Sequence, residues 1–331
     1  MQQYRLLAGR DRFVAVEFIR PSPAFNAQRD RALTMQTAHL KLVDVDDEVG
    51  FWKQAVERRL DVLMAPMNLA DGSVCHAMHS GVTGRGKRIR ALMLIGVGQG
   101  LGLDPQRLLD LACAVEMVHA ASLYLDDLPC MDDAKERRGQ PALHMKYGES
   151  TALLASMGML TEAFKTIAEA DDVPVHLRPR LVTLLADTVG PCGLIQGQFR
   201  DLATNSENSN LATLNDVNEL KTGMLFRAAM LMPAMVAESS AETIEAITRF
   251  ASNVGQAFQL QDDLADGRTT ADGILADLDG HVTLVTTLGF CSAIAKLERH
   301  VKEARKLMHD LFRNSRMLDS LMQRIVNSQS T

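Results

Sequence analysis

Two aspartate-rich clusters, DDLPCMDD at 126–133 and QDDLAD at 261–266, are the residues best suited to chemistry in this chain. Each lies in an otherwise apolar, helix-forming stretch. Crowded carboxylates repel one another, and burying them without cations is costly. Hard divalent cations relieve that cost, and Mg²⁺ held by one or two carboxylates commonly completes its shell with phosphate oxygens. Two facing clusters therefore predict a Mg²⁺–diphosphate site. In the second cluster Gln259, Asp262, Asp263 and Asp266 fall at i, i+3, i+4 and i+7, which is one helix face. The first is less regular. Asp126 and Asp132 are six residues apart, which a straight helix would set roughly 120° from each other. Pro129 lies between them and removes a backbone donor, so the turn is expected to kink and bring Asp132 back towards Asp126. His119 stands seven residues before Asp126, on its face of the same helix.

A diphosphate also needs cations and donors. GRGKRIR at 84–90 supplies Arg85, Lys87, Arg88 and Arg90 where a helix should begin. Its glycines allow close backbone approach, and a helix N-terminus favours an anion. The run is not a Walker loop, because GxxxxGK[ST] is absent. Arg137 and Arg138 add a guanidinium pair suited to bidentate phosphate contact. Lys221 and Thr222 offer a point charge and a hydroxyl. Singly, each feature has a plainer reading: a solvated acidic face, a basic surface turn, a hydrogen-bonded core histidine. Together they point to a site.

Helices must position these groups. Phe51, Ala55, Val56, Leu60, Leu63, Met64 and Met67 recur at three- and four-residue steps. A second helix is expected near Lys87, and Asp104-Pro105 reads as the start of a central, apolar helix running to about Leu128. Further helices are expected over 149–170, 177–200, 215–238, 241–265 and 284–312, with polar loops at 204–216 and 267–281. The fold class is thus all-α, a single-domain bundle over 49–331, preceded by a weakly structured extension, 1–48. With 331 residues and a net charge of −6, a nucleic-acid groove is excluded as the main function. The five cysteines form no CxxC pair, so they read as free thiols of a reducing cytoplasm rather than a zinc site or disulfide framework. No unbroken apolar run reaches the roughly 18–20 residues of a membrane span, and no integral membrane segment is expected.

These residues, in this order, resemble the trans-isoprenyl diphosphate synthases. The segment 110–150 is especially similar to the geranylgeranyl diphosphate synthases of carotenoid-type bacterial pathways. The likeness extends over about 75–313, including GQFRDL at 197–202, LKTG at 220–223 and FQLQDDLAD at 258–266. It implies a homodimeric helical bundle with the acidic motifs facing across a central cavity. It also implies three Mg²⁺ ions held by Asp126, Asp132 and Asp262 with help from Asp127, Asp263 and Asp266. Arg137, Lys221, Thr222 and Gln259 would hold the allylic diphosphate. Lys87, Arg90, His119 and Arg138 resemble the isopentenyl diphosphate site. The implied reaction is head-to-tail condensation releasing pyrophosphate, with Asp126, Asp127, Asp132, Asp262 and Lys221 as its catalytic set. In that family an aromatic five residues before the first motif stops growth at fifteen carbons. Here the position is Ala121, followed by Ser122, both small. A deeper floor, with Met117 a turn further back, implies geranylgeranyl diphosphate. One departure stands out: an ungapped count from Asp262 puts Gly273 and His281 where the family has lysines. A low-activity or regulatory subunit, or a farnesyl diphosphate synthase, therefore stays open as an alternative.

Overall fold

The computed structural model describes the backbone of residues 3–8, 13–18, 41–43, 45–65, 73–84, 86–204, 210–266, 268–269, 275–276 and 283–326, with side chains over 48–65, 73–84, 86–204, 210–265 and 283–326. The chain divides into two units, Met1–Phe51 and Trp52–Thr331. The first holds an antiparallel sheet of β1 (Gln3–Ala8), β2 (Phe13–Phe18) and β3 (Lys41–Val43), with Gln3 opposite Phe18 and Phe13 opposite Val43. This differs from the expectation of little regular structure before residue 49. Phe13, Val14, Val16 and Phe18 are aromatic or β-branched, residue types that suit a pleated strand.

The second unit is helical throughout its described core. From α1 (Val45–Met64) the order runs through α2 (Val74–Val82), α3 (Ile89–Gly100) and α4 (Leu109–Asp126). A short hairpin of β4 (Glu136–Arg137) and β5 (Gln140–Pro141) leads to α5 (Leu143–Tyr147) and α6 (Glu149–Ala168). Then follow α7 (Arg178–Val189), α8 (Leu194–Ala203), α9 (Leu211–Asn218), a π-helical turn at Glu219–Gly223, α10 (Met224–Val236) and α11 (Ala241–Asp266). After the strand pair β6 (Arg268–Thr269) and β7 (Leu275–Ala276), helices α12 (Leu284–Leu288), α13 (Phe290–Leu311) and α14 (Arg316–Val326) end the described chain.

Local chemistry accounts for these boundaries. The Ser73 side chain caps α2 by accepting from the His76 amide, and Asp104 accepts from the Gln106 amide at the 3₁₀ turn that opens α4. The stretch 177–200 is two helices rather than one. Pro191 has no N–H to continue the ladder, and Gly190 before it is extended. Gly289, at φ 78, likewise divides 284–312.

Helix α4 is the hub. It packs against α2, α3, α6 and α10, and its residues from Leu111 to Val118 are all buried. The facing side of α6 is mostly small (Ala152, Ala155, Ser156 and Ala163), so the two axes approach closely. By length and composition Pro105–Asp126 is long and apolar enough to cross a membrane, and it is mostly buried in the bundle. The count of unbroken apolar runs misses it because Arg107, Asp110 and Glu116 interrupt the run.

Candidate active site

The acidic end of α4 is folded as Pro129 predicts. The helix stops at Asp126, and the amide of Asp132 donates to the carbonyl of Asp126 at 2.9 Å. The amides of Met131 and Asp133 both donate to Leu128 O, and Asp133 takes a left-handed φ of 49°. Asp132 thus returns beside Asp126 despite their six-residue spacing. Burial first, then the charges of Asp132 and Asp201, pushes the Asp126 carboxyl up to about 6, with Lys221 and Arg137 opposing.

Asp127 faces elsewhere. Its side chain is 1% exposed, and Oδ1 accepts from both Nε and Nη2 of Arg137. Arg137 lies on β4, whose hairpin turns through Arg138 (φ 56°) and Gly139 (φ 71°). Two consecutive left-handed residues make a tight I′-type turn, for which arginine is an unusual first residue. Three of the four non-glycine residues with positive φ among those described, Arg88, Asp133 and Arg138, belong to the sequence elements of this site. Strain of this kind gathers at functional positions.

Lys221 and Thr222 come from the π-turn. The Lys221 ammonium donates to Asp201 Oδ2 at 2.6 Å. Burial pulls its pKa down, but Asp126, Asp201 and Asp132 outweigh that and raise it. The neighbouring Thr222 hydroxyl donates to Gln259 Oε1 at 2.8 Å, and Gln259 Nε2 donates to Asp263 Oδ1 at 2.8 Å. Two adjacent residues therefore connect the motifs: Lys221 faces the first, and Thr222 reaches the second through Gln259. Asp262 is exposed, and its charge is felt by Arg90.

The basic element forms the remaining wall. Arg90 is buried, with its guanidinium 4.7 Å from the ring centre of Phe226 and 5.4 Å from that of Phe258. Its Nη1 lies 3.3 Å from His119 Nε2, and Arg138 Nη2 lies 3.4 Å from the same nitrogen. Burial lowers Arg90 to about 10, with Glu116 and Asp262 opposing and Arg138 adding to the fall. Burial and four arginines, led by Arg90 and Arg138, hold His119 well below its ordinary range. His119 is therefore neutral, and with two guanidinium donors against Nε2 its proton is assigned to Nδ1. A side chain at Gly86 would run into Arg138 Nη1, so this glycine admits the hairpin arginine beside the loop. Lys87 is exposed.

Arg88 is unlike its basic neighbours. It is buried, donates to the carbonyls of Val82 and Gly84 at 2.7 and 2.8 Å, and faces Glu116 at 3.5 Å. Nor does the N-terminus of α3 meet the expectation of an open anion site: the Ala91 amide already donates to Glu116 Oε1.

Ala121 and Met117 are fully buried, Met117 with its sulfur 3.9 Å from the Thr166 hydroxyl of α6, and Ser122 is half-buried. Tyr124 points to α2, where its hydroxyl occupies the space a Gly81 side chain would need. The Asp266 side chain, Arg85, Gly273 and His281 lie outside the described residues. Sequence reasoning assigned no role to Asp201 or Glu116. A lone glutamate in the apolar run of α4 was the available signal for Glu116.

Among the described residues, no group of three or more His, Cys, Asp or Glu forms a ready-made metal cage. The arrangement fits a cation in another way. Asp126 and Asp132 offer two crowded carboxylates, one held partly protonated by its surroundings, and Mg²⁺ commonly takes one or two carboxylates plus phosphate oxygens.

The chain belongs to the polyprenyl synthetase family, whose pattern matches it over residues 73–316. It is accordingly a trans-prenyltransferase whose substrates are isoprenoid diphosphates. It is 41% identical over 280 residues to the geranylgeranyl diphosphate synthase of Pantoea ananas, covering 84% of this chain and 89% of the relative. It is 34% identical over 272 residues to the farnesyl diphosphate synthase of Bacillus subtilis (strain 168), covering 78% and 90%. Among solved structures, an apo FPP/GFPP synthase from Zymomonas mobilis superposes with a TM-score of 0.75 at 27% identity, covering 84% of this chain and 99% of that one.

Proposed function

We propose that this enzyme is a geranylgeranyl diphosphate synthase, condensing isopentenyl diphosphate with an allylic diphosphate. The observation that carries this reading is the pair Lys221–Thr222: the Lys221 ammonium lies in the field of Asp126 and Asp132, and the Thr222 hydroxyl bonds Gln259, which bonds Asp263, with the Arg90–His119–Arg138 cluster on the remaining wall. A charge and a hydroxyl on adjacent residues, one turned to each motif, suit a single diphosphate spanning both.

In this reading Asp126, Asp132 and Asp262 would hold Mg²⁺, three ions per site by family likeness, which would supply Lewis-acid stabilisation of the pyrophosphate leaving group. Lys221, Thr222 and Gln259 orient the allylic diphosphate, and Arg137, steadied by Asp127, adds positive charge. The allylic C1–O bond breaks and its electron pair leaves with pyrophosphate. Arg90, Arg138 and Lys87 hold the homoallylic diphosphate so that its double bond attacks the allylic cation. The new carbon–carbon bond forms, and the proton lost from the homoallylic unit passes to the departing pyrophosphate. Phe226 and Phe258 shield Arg90 from water and strengthen its field.

The twenty-carbon product is supported by the small Ala121 and Ser122 and by relatives named geranylgeranyl diphosphate synthase at 41% and 43% identity. The farnesyl reading is favoured by one observation, the 34% identity to the Bacillus enzyme. Incubation with labelled isopentenyl diphosphate and dimethylallyl, geranyl or farnesyl diphosphate separates them. A C20 chain from each primer is expected. Termination at C15 would replace this assignment, and no turnover by the purified chain would favour the regulatory-subunit alternative. The catalytic domain is taken as 49–331 and the setting as cytoplasmic. The enzyme is proposed to work as a homodimer, supported by the exposed apolar residues Leu153, Leu154 and Met157 on α6.

A further inference from the structure

Glu116 is a charged residue inside a long, apolar helix of the bundle, with its side chain only 3% exposed. Nothing in the reaction requires it to meet substrate. Its two oxygens are nonetheless both engaged, and both hold the basic loop. Oε1 accepts from the Ala91 amide at 3.1 Å, in the first turn of α3, and Oε2 faces Arg88 Nη1 at 3.5 Å. Arg88, 4% exposed, passes the constraint on by donating to the carbonyls of Val82, the last residue of α2, and Gly84 just beyond it. Arg88 also takes a left-handed backbone, which only a well-determined surrounding maintains. Glu57 of α1 stands 3.8 Å from Arg88 Nε as a second counter-charge. The residues flanking Arg88 in this clamp are Lys87 and, two positions on, Arg90.

We infer that Glu116 and Arg88 form a positioning pair that stations Lys87 and Arg90 for the homoallylic diphosphate without contacting it. The inference rests on the assignment of Lys87, Arg90 and Arg138 to that substrate. Breaking the clamp lets the loop relax. The homoallylic site loses its preset geometry, while the allylic site, built on the π-turn and α11, keeps its own.

The test is steady-state kinetics on full-length Glu116→Gln and Arg88→Met, with Arg90→Gln as reference. Glutamine still accepts from Ala91 but presents a neutral group to Arg88. Glu116→Gln is expected to raise KM for isopentenyl diphosphate roughly tenfold, with the allylic KM and saturated kcat changed by less than about threefold. Arg88→Met, which opens the clamp from the loop side, should reproduce that split. In the Arg90→Gln background, Glu116→Gln should raise the homoallylic KM by clearly less than in the wild-type background, because one of the two groups it positions is gone. Unchanged homoallylic KM in Glu116→Gln overturns the inference. So does an equal rise in both KM values with a lowered melting temperature, which marks general loosening. If Arg90→Gln itself leaves the homoallylic KM unchanged, the substrate assignment fails and the inference with it. If Arg90→Gln raises it and Glu116→Gln does not, only the positioning role falls.

Discussion

Asp126 stands between two opposing demands. Burial and the negative charges of Asp132 and Asp201 favour its neutral form, raising its pKa from an ordinary 3.8 to about 6. A metal ligand must be ionised. The sign follows from linkage. With no cation bound, this group's contribution to stability is complete below about pH 4 and is lost as pH rises through about 6. Cation binding must displace that proton, so apparent Mg²⁺ affinity in the presence of pyrophosphate should weaken by up to about tenfold per pH unit below 6. Calorimetry in buffers of different ionisation enthalpy would show the proton released. Constant affinity from pH 5 to 7 would count against Asp126 as a ligand. Asp126→Ala and Asp262→Ala should each lower turnover by roughly a thousandfold while helical circular dichroism is preserved. Near-normal turnover in either variant would remove the metal argument.

Some residue roles were legible and others were not. Pro129 announces the fold-back of Asp132 because a missing amide has only a few structural consequences. Asp126 and Asp127, by contrast, are the same residue type side by side, and only the folded structure tells which is sealed against Arg137 and which stays near Asp132 and Lys221. The same holds for Arg88 and Arg90. Within a string of basic residues, sequence does not say which guanidinium is spent on backbone carbonyls.

Among the elements, α4 performs three tasks along its length. Glu116 grips the basic loop, His119 faces two guanidiniums, and Asp126 ends the helix at the acidic turn. Between them lies Ala121, fully buried. Ala121→Tyr places an aromatic ring there, about 7.5 Å of helix rise before Asp126. We expect the product to shorten towards fifteen carbons, read by chromatography of the dephosphorylated alcohols. An unchanged distribution would move the floor of the cavity elsewhere. Helices α6 and α11 could be read from apolar periodicity, and α4 from its Asp104-Pro105 start and its largely apolar run. The breaks at Gly190-Pro191 and Gly289 fall inside otherwise helical patterns, and the π-turn at Glu219–Gly223 has no compositional signature at all.

At the scale of the molecule, the helical bundle was legible because its helices carry uninterrupted three- and four-residue apolar spacing. The N-terminal sheet was not, because its strands are short and carry no regular apolar–polar alternation. Exposed Leu153, Leu154 and Met157 leave an apolar face on α6, and Met145 on α5 is exposed too. If that face joins two copies, Met157→Asp buries a charge at the seam and should yield monomers by sedimentation velocity with little change in circular dichroism. A variant that still sediments as a dimer would place the interface elsewhere.

The five residues from Glu219 to Gly223 have a further consequence. A π-helical turn is an ordinary helix carrying one surplus residue. Excising any one of the five would let the backbone relax to regular pitch, keeping the flanking helices nearly in phase but removing or shifting the residues that the bulge presents. Lys221 and Thr222 could then no longer address Asp201 and Gln259 together. At Glu219 and Leu220 this short stretch should therefore tolerate exchange of side chain better than any change of length, so that the spacing between the two acidic motifs is counted, residue by residue, at a place where neither motif lies.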